Sequence, residues 1–408
     1  MPLEEIALAL TLLLRVLSLW FLAVALFALK RPRPIPVKTP ELRFACLIPA
    51  RNEEAVIAQL VESLNRQNYP PELRDIYVIP NNCTDWTEEW AREAGAKIFR
   101  CFEPVQCKGD ALHEAVAWML PQGYDAFCVF DADNAVHPDF LARMNDALLS
   151  GARVAKGAMR VKNPGDGWTA GCYGLYFAMF DTFVNRARAN CGLSAKLVGT
   201  GFAVRRDLLE ELGGWNTETI AEDAEFSAQC AALGERIQYV PGAVTFDEAP
   251  NTLRLSLRQR RRWCSGIMTV AGKQWGGLAG AVGGRGGVRA ADMLAFLASP
   301  FAQALSMVPA ALYLLAAGQS GRLADYVLAA GVGLMGAWIG LMAFALVLAL
   351  VGGYSLKTIG RSVAAFPLFM ATWLPLQVLS LFCRTREWKA IRHTGGLSVG
   401  ELARDGNT

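Results

Sequence analysis

The run from Ile6 to Leu29 constrains this chain most, twenty-four residues that are apolar except for Thr11, Arg15 and Ser18. That is the length of a bilayer-spanning helix. An arginine near the middle of a span costs about 3 kcal/mol on the insertion scale, and ten leucines at roughly −0.5 kcal/mol each more than offset it. The run is too long for the apolar part of a cleaved signal, so residues 1–30 read as an uncleaved anchor. Glu4 and Glu5 precede it, and Lys30, Arg31, Arg33 and Lys38 follow, which puts the next region in the cytoplasm beneath the plasma membrane. Three more apolar blocks, Met293 to Ala317, Tyr326 to Val351 and Val363 to Phe382, make residues 291–383 a membrane region of two or three spans. The composition, 53% hydrophobic and 19% charged, is too apolar for an ordinary soluble protein.

Lys357 and Arg361 mark the gap before the last block as cytoplasmic and leave Gly318 to Asp325 outside. Arg384, Arg386, Lys389 and Arg392 argue for a cytoplasmic tail, 384–408, and Trp388 to His393 resembles short endings found on that side. The two assignments conflict if the last block crosses fully. Pro367 and Pro375 interrupt it, so either the block is re-entrant or interfacial, or the tail is exported.

Between the membrane segments lies an α/β region. Arg31-Pro-Arg-Pro-Ile-Pro makes 31–43 a stiff linker at the membrane surface. From residue 44 to 265 strand-like and helix-like segments alternate. Phe44 to Pro49, Ile76 to Ile79, Lys97 to Phe99 and Phe127 to Phe130 read as strands. Glu53 to Asn68, a helix capped by Thr84 or Asp85 and running through Trp90, and Lys108 to Leu120 fall between them. That order predicts a mostly parallel, doubly wound sheet. The fourth strand ends abruptly in Asp131-Ala-Asp133, at the carboxyl edge where open α/β sheets bind ligands. Two carboxylates so spaced can share a hard divalent cation, which commonly carries nucleotide phosphates. No Gly-x-Gly-x-x-Gly follows the first strand, which disfavours a dinucleotide fold. A net charge of +3 is too small to suggest nucleic acid, and ten cysteines without Cys-x-x-Cys spacing and three scattered histidines indicate neither zinc nor a disulfide framework.

Ile48-Pro-Ala-Arg-Asn-Glu-Glu54, Asn81-Asn-Cys-Thr-Asp85, Lys108-Gly109, Asp131-Ala-Asp133, Gly199-Thr-Gly201, Glu222-Asp223 and Gln259-Arg-Arg-Arg-Trp263 occur in that order. The set resembles the membrane-integrated family 2 glycosyltransferases, the group of cellulose, chitin and hyaluronan synthases. The resemblance implies a GT-A-type domain that uses a nucleotide-activated sugar, usually a UDP-sugar, with Mg²⁺ or Mn²⁺. It implies Asp131 and Asp133 as metal ligands, and Asp223 as the base that takes the acceptor hydroxyl's proton, with Glu222 its neighbour at the acceptor. On the residues alone, the same acids equally suit the positive end of a helix from Ala224 to Leu233. Ala50, Arg51, Glu53, Asn81 and Lys108 fall to the nucleotide sugar. The family usually has Asp at position 81; Asn keeps an acceptor oxygen and loses the charge, and Asn81-Asn82 reads equally as a turn.

The resemblance gives Gly199, Thr200 and Gly201 to donor sugar or acceptor, Arg262 to the diphosphate, and Gln259 and Trp263 to the acceptor. An arginine fork suits phosphate. The run Arg254, Arg258, Arg260, Arg261 and Arg262 also suits anionic headgroups, and Arg258 and Arg261 are expected there, with 266–290 interfacial. Trp215 reads as acceptor-pocket floor or as core, and Trp168 to Arg188 as a long aromatic helix. The function expected is an inverting, processive transferase building a β-linked polysaccharide at the membrane. Its competitors are a glycolipid synthase adding one sugar to a lipid and a non-catalytic membrane assembly protein. A growing glycan or a lipid is then the acceptor, and homo-oligomers or secretion partners are the associations open to it.

Overall fold

The computed structural model describes residues 3–384, so the basic tail expected beyond Arg384 lies outside the described residues. In chain order the elements are α1 (Leu3–Ala25), β1 (Phe44–Ala50), α2 (Ile57–Asn65), β2 (Arg74–Pro80), α3 (Thr87–Glu93), β3 (Lys97–Ile98), α4 (Lys108–Met119), β4 (Ala126–Val129), β5 (Ala135–Val136), α5 (Phe140–Leu149) and β6 (Val154–Val161). There follow α6 (Trp168–Met179), α7 (Ala187–Cys191), β7 (Phe202–Arg205), α8 (Arg206–Leu212), α9 (Glu222–Ala232), β8 (Ile237–Asp247), α10 (Leu253–Val282), α11 (Gly287–Leu305), α12 (Met307–Gln319), α13 (Leu323–Val351), α14 (Leu356–Ala371) and α15 (Trp373–Phe382).

The eight strands form one sheet in the order β3-β2-β1-β4-β7-β6-β8-β5. The pairs β2–β3, β1–β2, β1–β4 and β6–β8 are parallel, and β7 runs antiparallel to both β4 and β6. Its reversal has a consequence for the site. The loop that leads into β7 arrives at the same sheet edge as the carboxyl ends of β1, β4 and β8. Every residue of β1 is buried, as a strand covered on both faces requires. On one face Ile57, Leu60, Val61 and Leu64 of α2 pack with Phe140, Leu141, Met144 and Leu148 of α5. On the other, Leu112, Val116 and Met119 of α4 meet Leu208 and Leu209 of α8 and Phe226 and Cys230 of α9. Trp215 belongs to this second core: it stacks on Phe226 at 4.3 Å and its Nε1 donates to Thr217 Oγ1, so it floors no pocket.

Four helical segments are long and apolar enough to cross a membrane: Leu3–Leu29, Gly287–Gln319, Leu323–Val351 and Leu356–Phe382. The last is interrupted, as expected, but at Thr372, with Pro367 inside α14 and Pro375 in the first turn of α15, where a missing N–H is tolerated. Both halves of this segment lie on the rest of the chain. Cys172 Sγ of α6 meets the Ser362 carbonyl of α14, and the fully buried Arg260 of α10 donates to the Phe369 carbonyl at 2.9 Å. Helix α10 itself runs unbroken through residues 265 and 266 and on to Val282.

The anchor is tied in as well. Asp292 of α11, fully buried, accepts Arg188 Nε at 2.9 Å and Nη2 at 3.0 Å, Lys196 Nζ at 2.9 Å, and the indole N–H of Trp20 in α1 at 3.1 Å. Breaking a buried pair of this kind costs several kcal/mol, because it strands a charge. At the far end of the anchor Glu4 pairs with Arg322, between α12 and α13, at 3.2 Å.

Candidate active site

The strand ends supply the acids. Beyond β4 the chain turns through Asp131 and Asp133, and β8 itself ends in Asp247. A hydrogen-bonded relay joins them: Asp131 N–H donates to Thr200 Oγ1 at 3.0 Å, Thr200 Oγ1 donates to Asn134 Oδ1, and Asn134 Nδ2 donates to Asp247 Oδ1 at 2.5 Å. Gly199 must approach closely here. Its φ is +55°, and a Cβ on it would lie 3.1 Å from Asp131 Oδ2. Its carbonyl accepts from Lys108 Nζ at 2.6 Å, and its N–H donates to Asp223 Oδ2 at 2.5 Å.

Lys108, at the first position of α4, is the hub. Its ammonium lies 2.5 Å from Asp131 Oδ1 and 3.4 Å from Glu222 Oε1. Burial works against this charge, yet Asp131, Glu222 and Asp223 more than offset it and hold the pKa above the ordinary value. Glu222 and Asp223 open α9, as their helix-starting pattern allows. Burial pushes Glu222 up to about 7, with Lys108 opposing and Asp223 and Asp131 assisting. Asp223 is raised by burial too, against the N–H groups of Gly199 and Ala224. Asp247 stands well above the carboxylate range, through burial and the charges of Asp133 and Asp131.

These groups line one cavity of about 770 Å³. Of the residues expected at the site, Glu53, Asn81, Lys108, Asp131, Asp133, Gly199, Glu222, Asp223, Gln259, Arg262 and Trp263 face it. Ala50, Arg51, Thr200 and Gly201 do not. The Ala50 carbonyl accepts from Asn81 N and Nδ2, and the Arg51 guanidinium donates to the Asn81 and Val105 carbonyls, so both hold the loops after β1 and β2 together. Thr200 acts through the relay, and Gly201, at φ +64°, passes under Thr245, whose side chain a Cβ would meet at 2.9 Å. Asn82 takes a left-handed φ of 49°, the turn that Asn tolerates.

The wall also holds residues that motif reading missed. Asp247 repeats the pattern of Asp131, an apolar strand ending in acid, and could have been found by it. Asp181 lies in a π-helical segment, Phe180–Arg186, between α6 and α7, and accepts Met159 N–H at 2.9 Å. Burial pushes it up to about 6, with Lys156 opposing. Such segments recur at functional sites. Tyr176, Trp373, Gln303 and Gln377 line the end that lies among α6, α10, α11 and α15.

Eight carboxylates and three cations line the cavity, an excess of hard oxygen donors that fits a divalent cation at Asp131 and Asp133. Among the described residues no three such side chains are placed to hold an ion unaided, so the pair would share it with oxygens of a bound ligand.

The comparisons with known proteins place the fold. Mannosyltransferase PcManGT from Pyrobaculum calidifontis, solved with GDP-Man and Mn²⁺, superposes with a TM-score of 0.63 at 22% identity, over 93% of this chain and 99% of that one. The chain is 32% identical over 238 residues to the probable glycosyltransferase YdaM of Bacillus subtilis, 56% of each protein. It is 29% identical over 230 residues to the beta-monoglucosyldiacylglycerol synthase of Nostoc sp., 54% of this chain and 48% of that protein. The chain thus spans about half the length of the curated relatives it matches. Residues 40–266, more than half of the chain, match the family described as glycosyltransferase like family 2, and the chain belongs to that family.

Proposed function

We propose that this protein is an inverting glycosyltransferase that moves a sugar from a nucleotide sugar, UDP-linked in the first instance, to a lipid-borne acceptor at the cytoplasmic face of the membrane. One observation carries the reading: one cavity joins the carboxylate cluster to a wall built from α11, part of a candidate membrane span, and from α15 beside it. An acceptor held in the bilayer can thus present its hydroxyl to Asp223. The glycolipid synthase among the relatives supports the same choice.

Asp223 takes the proton from that hydroxyl. Both of its oxygens accept backbone N–H groups, which fixes its aim. Glu53 and Asn81 face the nucleotide end, and Lys108 and Arg262 are placed to meet the diphosphate as it leaves. Asp131 and Asp133 would hold Mg²⁺ or Mn²⁺, which neutralises the leaving diphosphate when bound. Residues 44–265 then form the catalytic domain, 1–30 its anchor and 291–383 its membrane region, with 31–43 and 266–290 as the connecting surface segments. A processive synthase of β-linked polysaccharide is the second reading, favoured by Gln259, Arg262 and Trp263 all facing the cavity.

The test is to incubate the full chain in native membranes with radiolabelled UDP-sugars and GDP-mannose plus Mg²⁺ or Mn²⁺, and to size the product. Label in a small species soluble in organic solvent is the expected result. High-molecular-weight carbohydrate would replace it with the polymer reading, and no transfer from any donor would overturn both.

A further inference from the structure

Where the anchor ends and α11 begins, distant parts of the chain bring cations together. Arg186 Nη2, in the π-helical segment, donates to the Lys30 carbonyl at 3.3 Å. Asn190 Nδ2 of α7 donates to the same carbonyl at 2.9 Å and to that of Phe27 at 3.0 Å. Arg236 Nη2, just before β8, donates to the Ala189 carbonyl at 2.9 Å, and Arg289 Nη1 of α11 donates to the Gly234 carbonyl at 2.9 Å. Arg33 of the linker stands close by: burial, the charge of Arg289 and the charge of Arg33 all hold the Arg236 pKa below its ordinary value.

The group lacks negative charge. Among the described residues none of these five cations pairs with a carboxylate, and the acids beside them are engaged elsewhere: Glu235 with Arg153 at 3.2 Å, and Asp292 with Arg188 and Lys196 at 2.9 Å each. The Nε atoms of Arg186, Arg236 and Arg289 are buried and donate to nothing. Buried charges ordinarily meet a counter-charge, and a guanidinium fork matches the oxygens of a phosphate. The surroundings select the anion's carrier. Leu26, Leu29 and Val288, next to Phe27, Lys30 and Arg289 in sequence, are 59%, 81% and 57% exposed, and the cations sit where one candidate membrane span ends and another begins. A ligand that suits both surfaces is anionic at one end and apolar at the other, and basic pockets between spans at this level hold phospholipid headgroups. We infer that Lys30, Arg33, Arg186, Arg236 and Arg289 bind the phosphate of an anionic phospholipid, whose acyl chains lie along Leu26, Leu29 and Val288. None of the five lines the active-site cavity, so this lipid is no reactant, and the site stands or falls apart from the transferase reading. Its phosphate bridges the anchor, α7, β8 and α11.

The experiment titrates the full chain, purified in dodecyl maltoside, with 1-palmitoyl-2-oleoyl phosphatidylglycerol, with the phosphatidylcholine of the same acyl chains, and with inorganic phosphate. Native mass spectrometry counts bound lipid, and thermal melts follow the stabilisation that binding gives. Phosphatidylglycerol should bind about tenfold more tightly than phosphatidylcholine and raise the melting temperature further. Arg33→Gln, on the exposed linker, should weaken phosphatidylglycerol about fivefold, and Arg236→Gln with Arg289→Gln about thirtyfold, with phosphatidylcholine unmoved. Arg33 makes no hydrogen bond among the described residues, so its variant tests the site even where the double variant folds poorly. Arg254→Gln with Arg258→Gln, exposed on α10 away from the five, should leave the affinity unchanged. A loss there equal to that of the five-cation variants would reduce the effect to general attraction and overturn the site. Equal affinity for the two lipids would overturn it too, as would native affinity in Arg33→Gln and the double variant. Inorganic phosphate that raises the melting temperature as far as phosphatidylglycerol does would give the pocket to a free anion and overturn the lipid.

Discussion

Asp223 is held by two backbone N–H groups in a buried pocket, so asparagine keeps the side chain's size and one of the two bonds and loses its chemistry. Asp223→Asn is expected to lower kcat by about 10²–10⁴-fold, the usual worth of a positioned base, with KM for the sugar nucleotide near the native value. Steady-state kinetics on membranes would show it. Asp181 gives a pH signature instead. Its folded pKa, about 6, lies above its ordinary 3.8, so the folded protein holds this proton more tightly than the unfolded chain. The stability so gained is present below about pH 4 and lost as pH rises through 6, about 3 kcal/mol. Asp181→Asn should flatten that slope and unfold at a higher temperature than the native protein at pH 8, with no such gain at pH 4, by thermal melts in detergent. Legibility also divides at this scale. Lys108, Asp131, Glu222 and Asp223 could be read because each starts a helix or ends a strand in a short motif. Asp181 reaches the cavity from inside a long helical stretch, and Trp373 and Gln377 from α15, and nothing in their local sequence records where those helices cross.

The first four strands showed in their apolar runs, and their observed bounds differ from the expected ones by two residues or fewer, while β5, β6 and β8 were not legible. The helix from Trp168 continues to Cys191, and its π-helical stretch left no mark in the pattern of apolar residues. The proline-bearing last segment was legible as interrupted, and its packing on α6, α10 and α11 supplies what the sequence lacked. We take α14 and α15 to lie along the cytoplasmic face. On that proposal the anchor, the α11–α12 segment and α13 would cross, with the Glu4–Arg322 pair on the outer side. In a background lacking the exposed Cys383, a cysteine at Ser320 should react with an impermeant maleimide added outside intact cells. A cysteine at Ser355 should react only after permeabilisation. The reverse pattern would invert the arrangement.

At the level of the whole molecule the catalytic and membrane halves share their cores. Met159, Val161, Tyr173 and Phe177 pack with Leu348, Tyr354, Ile359 and Phe366, and Ala224 and Ala228 of α9 pack with Met293 and Leu297 of α11. Residues 40–266 expressed alone would bare those faces, and contiguous apolar surface of that kind drives association. Size-exclusion chromatography should find the fragment aggregated and the full chain monodisperse in detergent. The bond between Trp20 and Asp292 adds an order in time. Its two partners are 272 residues apart in sequence. At roughly 5–20 residues per second of synthesis, the anchor waits about 15–50 s in the membrane before its carboxylate leaves the ribosome. Arg188 and Lys196, meanwhile, are made with no counter-charge to receive them. The buried charges of Arg188 and Lys196 are paired only once α11 has been made, so the fold of the catalytic half is completed by a helix of a candidate membrane span.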